Sequence, residues 1–454
     1  MSNKWSFSPK DIRVPIVISV VVCLSLIACI VTYNMMFPVS ICGQRLKRNV
    51  SEIDLSGRDI SGQADRILRF THLRYADLTD TGLTCGEYDL IHAAMPECTV
   101  RWSVPLGGKY FPSDTPELRL DDSVSPSELC RIGYFDRLQL LDARDYPLCD
   151  ELYDAAQMLR QSDTNAANCL FSGTLYGAEI SSDTLSLDLS DQKIDDLSEF
   201  YSKLRFFPHM KKIDVGDIAC PDKEMDRLNR SFPDTKIVWL VEFGRWQVRT
   251  DIKVFSTLVG NEQTMVYGQE DFLPLLTYCT DLEALDLGHN RLRDGSCLAG
   301  LSHLAILILS YNYDIKDLGF LYSLPGLIFL ELRSNSGITD LEPIGSLSDL
   351  QILEIQRLST VKNASALARC SKLELIMAND VYFIDTRPYL IQKALPDCVF
   401  DTYSDDTARQ GDSIRKIAQI KTLFANWPRV DTESYKSWND VKFTDRPTCG
   451  WYIH

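Results

Sequence analysis

The chain has 454 residues, 45% hydrophobic and 24% charged. That composition matches the globular average and argues against wholesale disorder, while the length exceeds one ordinary domain. The net charge of -16 argues against a nucleic-acid surface, which needs a basic face to hold phosphates.

The first predicted element is an apolar helix. Val14–Tyr33 reads VPIVISVVVCLSLIACIVTY, and no charge occurs from Val14 through Cys42. About 20 apolar residues suffice to cross a bilayer as a helix. Residues 14–36 are therefore expected to be a single membrane anchor, with 1–13 a short cytoplasmic segment and 37–48 a linker. Lys4, Lys10 and Arg13 precede the span and Arg45, Lys47 and Arg48 follow it, so charge count alone does not orient it. A short basic leader before an apolar stretch is how export signals begin. This favours an inside N-terminus and an extracytoplasmic remainder. A second reading takes Leu26-Ile27-Ala28-Cys29 as a lipoprotein box with a lipidated Cys29. The apolar run continues past that cysteine, which favours the uncleaved anchor.

Residues 49–251 hold three long units. Trp102, Phe171 and Trp239 stand 69 and 68 residues apart, and Asp114, Asp183 and Asp251 each follow twelve residues later. Val100-Trp102-Val104-Leu106 and Ile237-Trp239-Val241-Phe243 alternate with period two, the mark of a half-buried strand. Gly107-Gly108 and Gly244 supply a turn, and a second short strand returns to the Asp. Each copy is thus expected to be a β-hairpin; in the middle one (Cys169-Leu-Phe-Ser-Gly173) the alternation is degraded. Between hairpins lie two degenerate strand slots, beginning with Ile53-Asp-Leu55 and Ala76-Asp-Leu78, and a predicted helix such as 87–94 or 223–229.

Residues 252–395 are regular. Leu282, Leu304, Leu327, Leu350 and Leu373 open successive units at spacings of 22, 23, 23 and 23. LEALDLGHN, LAILILSYN and LIFLELRSN fit L-x-x-L-x-L-x-x-N and end at Asn290, Asn312 and Asn335; the fourth unit puts Leu358 in the Asn position. Repeats of 20–29 residues with this pattern carry one short strand each. The pattern resembles the leucine-rich repeat family. Unit three continues Gly337-Ile-Thr-Asp-Leu-Glu-Pro-Ile-Gly-Ser-Leu347, which resembles the internalin-type bacterial repeat. The resemblance implies an α/β solenoid, a leucine-rich horseshoe with a parallel sheet, here carrying β-hairpin insertions in its N-terminal half. It also implies a non-enzymatic recognition scaffold at a bacterial cell surface. The chain ends in Thr448-Cys-Gly-Trp-Tyr-Ile-His454, without an LPxTG-type sorting signal, so the N-terminal helix is expected to do the anchoring. Residues 396–454, opening on Pro396-Asp-Cys-Val-Phe-Asp, are expected to cap the last coil, whose core would otherwise be exposed.

Positions 3, 5, 7 and 8 of each repeat should face the concave side. Position 5 gives Asp54, Asp77, Arg119, Asp142, Asp188, Asp214, Asp286, Ile308, Glu331, Glu354 and Met377, a mostly acidic column suited to a basic peptide, a polyamine or a divalent cation. Position 3 of the regular repeats adds an apolar stripe, including Ile306, Phe329, Ile352 and Leu375. Ile308, Tyr311 and Met377 would join the stripe, and Arg333, Gln356, Arg357 and His289 would edge it. The expected binding set is Phe329, Ile306, Ile352, Leu375, Tyr311, Glu331, Glu354, Arg333, Arg357 and Asp286, and the expected partner is a protein or peptide. No cofactor or metal is expected: the six histidines form no HExxH, and Gly107-Gly-Lys-Tyr110 lacks the spacing of a phosphate loop. An envelope enzyme with its site in 49–251 is the alternative, without a motif to support it. The fourteen cysteines form no CxxC. Cys85/Cys98 and Cys370/Cys398 are candidate disulfides, and buried thiols are the competing reading.

Overall fold

The structure, a computed structural model, describes Ser25 and residues 38–161, 168–243, 246–257 and 273–402. The expected anchor at 14–36, Ser25 apart, and nearly all of the expected cap lie outside them. No helix among the described residues is long and apolar enough to cross a membrane. The chain divides into two compact units, Met1–Leu185 with Leu197–Met210, and Ser186–Asp196 with Lys211–His454.

In the first unit, β1 (Val39–Ile41) and β2 (Gln44–Leu46) form an antiparallel pair. A four-stranded sheet follows: β3 (Glu52–Asp54), β4 (Tyr75–Leu78), β5 (Thr99–Leu106) and β6 (Lys109–Pro112), in that order. The short helices α1 (Ala64–Ile67) and α2 (Cys85–Ala94) connect its parallel strands. Thr84 and Glu87 make a reciprocal cap at the start of α2, satisfying donors the helix cannot. A second sheet repeats the order with β7 (Glu117–Arg119), β8 (Leu140–Ala143), β9 (Asn168–Leu175) and β10 (Ala178–Ser181), and α3 (Asp150–Arg160) precedes β9. Helix α4 (Ser198–Lys203) also belongs to this unit.

The second unit opens with a third copy: β11 (Ser186–Asp188), β12 (Lys212–Gly216), α5 (Asp222–Ser231), β13 (Lys236–Phe243) and β14 (Trp246–Arg249). Then comes a seven-stranded parallel sheet. It stacks β15 (Val254–Ser256), β16 (Ala284–Asp286), β17 (Ile306–Ile308), β18 (Phe329–Glu331), β19 (Ile352–Glu354), β21 (Leu375–Met377) and β23 (Val399–Asp401). Beside it, β20 (Ser359–Val361) pairs in parallel with β22 (Val381–Phe383). Helix α6 (Pro388–Ala394) leads through Pro396-Asp397 into β23, so the sheet runs one strand beyond residue 395.

The hairpins have a feature that alternation alone does not show. The first strand of each is also the third parallel strand of its sheet: Ile53, Ala76 and Val100 share a rung, as do Leu118, Leu141 and Cys169, and Leu187, Ile213 and Ile237. The second strand then turns back antiparallel and ends the sheet. Gly107 and Gly108 sit at φ 57° and 71° in a two-residue loop, as do Tyr176 at 48° and Gly177 at 87°. Positive φ at both loop positions fits the twist of a tight hairpin. A hydroxyl eleven residues after the aromatic closes each copy. Trp102 N–H donates to Ser113 Oγ, Phe171 N–H to Ser182 Oγ and Trp239 N–H to Thr250 Oγ1. Trp102, Phe171 and Trp239 are all buried, as expected of anchors rather than ligand platforms.

In the regular array, the leucines at positions 1, 4 and 6 fill the tube. Leu282, Leu285, Leu304, Leu307, Leu327, Leu330, Leu350 and Leu353 are essentially unexposed and join one core cluster. Each such side chain contributes about 1.5–3 kcal/mol through burial. The asparagines tie coil to coil. Asn312 Oδ1 accepts from the N–H groups of Asn290 and Leu292, while its Nδ2 donates to the carbonyls of Leu287 and Leu309. Asn335 Oδ1 accepts from Asn312 N–H in turn, and its Nδ2 donates to Leu309.

Candidate binding face

The parallel register puts like positions of successive coils side by side, about 4.8 Å apart. Ile306 lies beside Phe329, and Phe329 beside Ile352, then Leu375. The expectation of an exposed apolar stripe needs correcting: these four residues are 0–7% exposed and belong to the core cluster. Sequence position gives a side chain's direction but not what its neighbours cover. Asp286, Glu331, Glu354 and Arg333 are buried as well. Of the ten expected binding residues, Tyr311 is half-buried and Arg357 is exposed.

The acidic column is also not a row of free carboxylates. Asp54 and Asp188 each accept from the N–H and hydroxyl of the serine two residues on, Ser56 and Ser190. Asp77 binds Thr79 and Arg101, Asp142 chelates Arg144, and Asp214 pairs with Arg249. Burial opposes ionisation of Asp77, but Thr79 and Arg101 outweigh it and hold the carboxyl below 3.8. Asp286 accepts from Gly288 N–H and Ser256 Oγ. These acids close the turn or ion pair beside them, because Asp two residues before a small polar residue bonds its own backbone.

What remains accessible is the rim where the chain leaves each strand. His289, Tyr311, Ser334, Arg357 and Asp380 hold repeat position 8, and all five have φ between 58° and 60°. That left-handed conformation is strained for residues other than glycine and persists only where the surroundings enforce it. Here each position-8 N–H donates to the position-7 carbonyl of the next coil, for four of the five: His289 to Ser310, Tyr311 to Arg333, Ser334 to Gln356 and Arg357 to Asn379. The conformation turns His289, Tyr311, Arg357 and Asp380 outward, while Ser334 between them is buried. His289 stacks on Tyr311 at 4.2 Å and 15°, and the Arg333 guanidinium lies 5.9 Å from the same ring. Tyr313, exposed, meets Tyr311 edge-on at 6.2 Å. Burial holds His289 below its ordinary 6.5, which favours the neutral imidazole. Arg357 approaches Asp380 at 3.8 Å.

Two polar atoms beside this rim stand out. Arg333 Nε and Asn379 Oδ1 are buried without a hydrogen-bond partner. Leaving a buried polar group unmet costs about 1–3 kcal/mol. Both hold position 7, two coils apart, which is about 10 Å of sheet. Both atoms lie beneath the surface, so the exposed side chains of the rim are what a partner meets. The sequence pattern placed Arg333, Arg357 and His289 at this edge and Tyr311 in the apolar stripe; Asn379 went unread because the fifth repeat departs from the pattern. Among the described residues, no group of three or more His, Cys, Asp or Glu is placed to hold a metal ion. Cys85, Cys98, Cys370 and Cys398 form no disulfides, which corrects the two candidate pairings.

No family model matches the chain, and no curated protein sequence does. Among solved structures, the chain is similar to the internalin InlF of Listeria monocytogenes at 14% identity, covering 80% of this chain and 91% of that one, with a TM-score of 0.28. Internalin C2 of the same species matches at 16% over 55% of this chain and 92% of its own, TM-score 0.28. A leucine-rich repeat protein of Leptospira interrogans matches at 14% over 78% and 90%, TM-score 0.25. The chain is thus similar to internalins and other leucine-rich repeat proteins of known structure, while its fold assignment rests on the strand registers above.

Proposed function

We propose that the regular array binds an extended segment of a protein partner along the rim formed by His289, Tyr311, Arg333 and Arg357. The buried residues Ile306, Phe329, Ile352 and Leu375 form the floor that fixes the rim. The observation that carries this reading is the stacked His289–Tyr311 pair, flanked by exposed Tyr313 and exposed Arg357. Asp286, Glu331, Glu354 and Asp401 lie on the adjoining position-5 column, which favours a basic residue in the partner. The apolar run at 14–36 supports a single-pass anchor with the repeat units outside the cytoplasm. Panning a displayed random-peptide library against the full chain tests the reading. Enriched peptides should lose at least tenfold in affinity for Arg357→Glu and for Tyr311→Ala. Peptides that bind both variants as they bind the parent chain would contradict it.

A further inference from the structure

Trp102 and Trp239 hold equivalent places in their modules, but Trp239 makes an indole hydrogen bond that Trp102 lacks, and Trp102 stacks on Tyr88 at 4.5 Å. Trp239 Nε1 donates to Asp222 Oδ1 at 2.9 Å. Asp222 is the first residue of α5, seventeen positions before the tryptophan. Cys85 is the first residue of α2, also seventeen positions before Trp102. The surroundings correspond too. Tyr278, which ends the following 3-10 turn, packs on Trp239 at 5.8 Å; Tyr134, which ends its own, packs on Trp102 at 5.4 Å. Trp102 is wholly buried, and its Nε1 has no hydrogen-bond partner. The correspondence of position points to the start of α2, where the counterpart finds a carboxylate and where this module has the partly exposed Cys85 thiol.

We propose that Cys85 is an oxidation site whose sulfinate form accepts the Trp102 N–H as Asp222 accepts that of Trp239. A sulfinate carries two oxygens and one negative charge on a single-carbon stem, the closest match cysteine chemistry offers to aspartate. It would also sit at the N-terminus of a ten-residue helix, where a negative charge is favoured. The oxidant is hydrogen peroxide, and each step balances. The thiol sulfur attacks one peroxide oxygen, the O–O bond breaks, an S–O bond forms and water leaves, giving the sulfenic acid. A second peroxide repeats the transfer, gives the sulfinic acid and releases a second water; the acid ionises at neutral pH. Cys130, exposed on the neighbouring turn, offers the competing fate, in which the sulfenic acid condenses with its thiol to a disulfide and water.

The test treats the full chain with graded hydrogen peroxide and follows peptide masses and thermal midpoint. Cys85 should gain two oxygens before the buried Cys98, Cys370 and Cys398 change, and the midpoint should rise by roughly 2–4 °C. Trp102→Phe should abolish the rise, and Cys85→Asp should reproduce it without peroxide. A Cys85–Cys130 disulfide as the product, oxidation of the buried thiols first, or a Cys85→Asp midpoint no higher than that of the parent would each overturn the proposal.

Discussion

The three long modules and the regular array solve one problem differently. Each strand exit exposes backbone groups that must be bonded. In the array, a buried asparagine reaches across coils: Asn312 alone joins groups on Asn290, Leu292, Leu287 and Leu309. In the modules, an aspartate bonds the residue two places on, as Asp54 and Asp188 do with Ser56 and Ser190, so the closure stays within one coil. The array couples neighbours and stacks seven strands; each module stops after three parallel strands with an antiparallel return. Cross-coil bonding goes with a long, continuous face, and local bonding with short sheets closed by hairpins.

Substitutions can break or sharpen this contrast. Asn312→Ala should have the largest effect, about 3 kcal/mol, because it strands several buried groups at once. It should lower the urea midpoint of the full chain; a shift as small as that of a module aspartate would erase the contrast. Asp77→Ala comes next at about 1–2 kcal/mol, since Asp77 binds Thr79 and also holds Arg101. Acid should act on the clusters that mix both devices. Burial disfavours the charged form of Asp251, yet Arg249 and Lys212 hold its carboxyl below 3.8. Its stabilisation is therefore present above the unfolded value of 3.8 and is lost as pH falls through the lower folded value. Asp251→Asn should flatten the acid limb of a stability–pH curve; an unchanged limb would remove this cluster from the account. The smallest effect belongs to Asp188→Ala, within about 0.5 kcal/mol, because its loop is exposed and water replaces the lost bond.

Much of this architecture was legible in the residues. The leucine period is forced by a tube that each coil must fill at the same three positions, and Asn290, Asn312 and Asn335 mark its exits. The hairpins were legible through alternation around Trp102 and Trp239 and through Gly107-Gly108. Their double membership was not, because a strand alternates alike whether its neighbour runs parallel or antiparallel. Ser113, Ser182 and Thr250 each stand just before the repeating aspartate, a signal present but unread. The face itself was half legible. Position 8 must turn left-handed, which sends Tyr311 and Arg357 outward; positions 3 and 5 point to the same side, but their rungs bury them. The unmatched atoms on Arg333 and Asn379 depend on three-dimensional neighbours and leave no trace in spacing.

The central claim is that recognition belongs to the array rim and not to the hairpins. Photocrosslinking from two exposed tyrosines tests it most directly, with a photoreactive residue in place of Tyr313 on the rim or Tyr110 on the first hairpin, in the full chain in its native cells. The account predicts a discrete protein adduct from position 313 that Arg357→Glu abolishes, and none from position 110. An adduct from position 110 with none from 313 would contradict it.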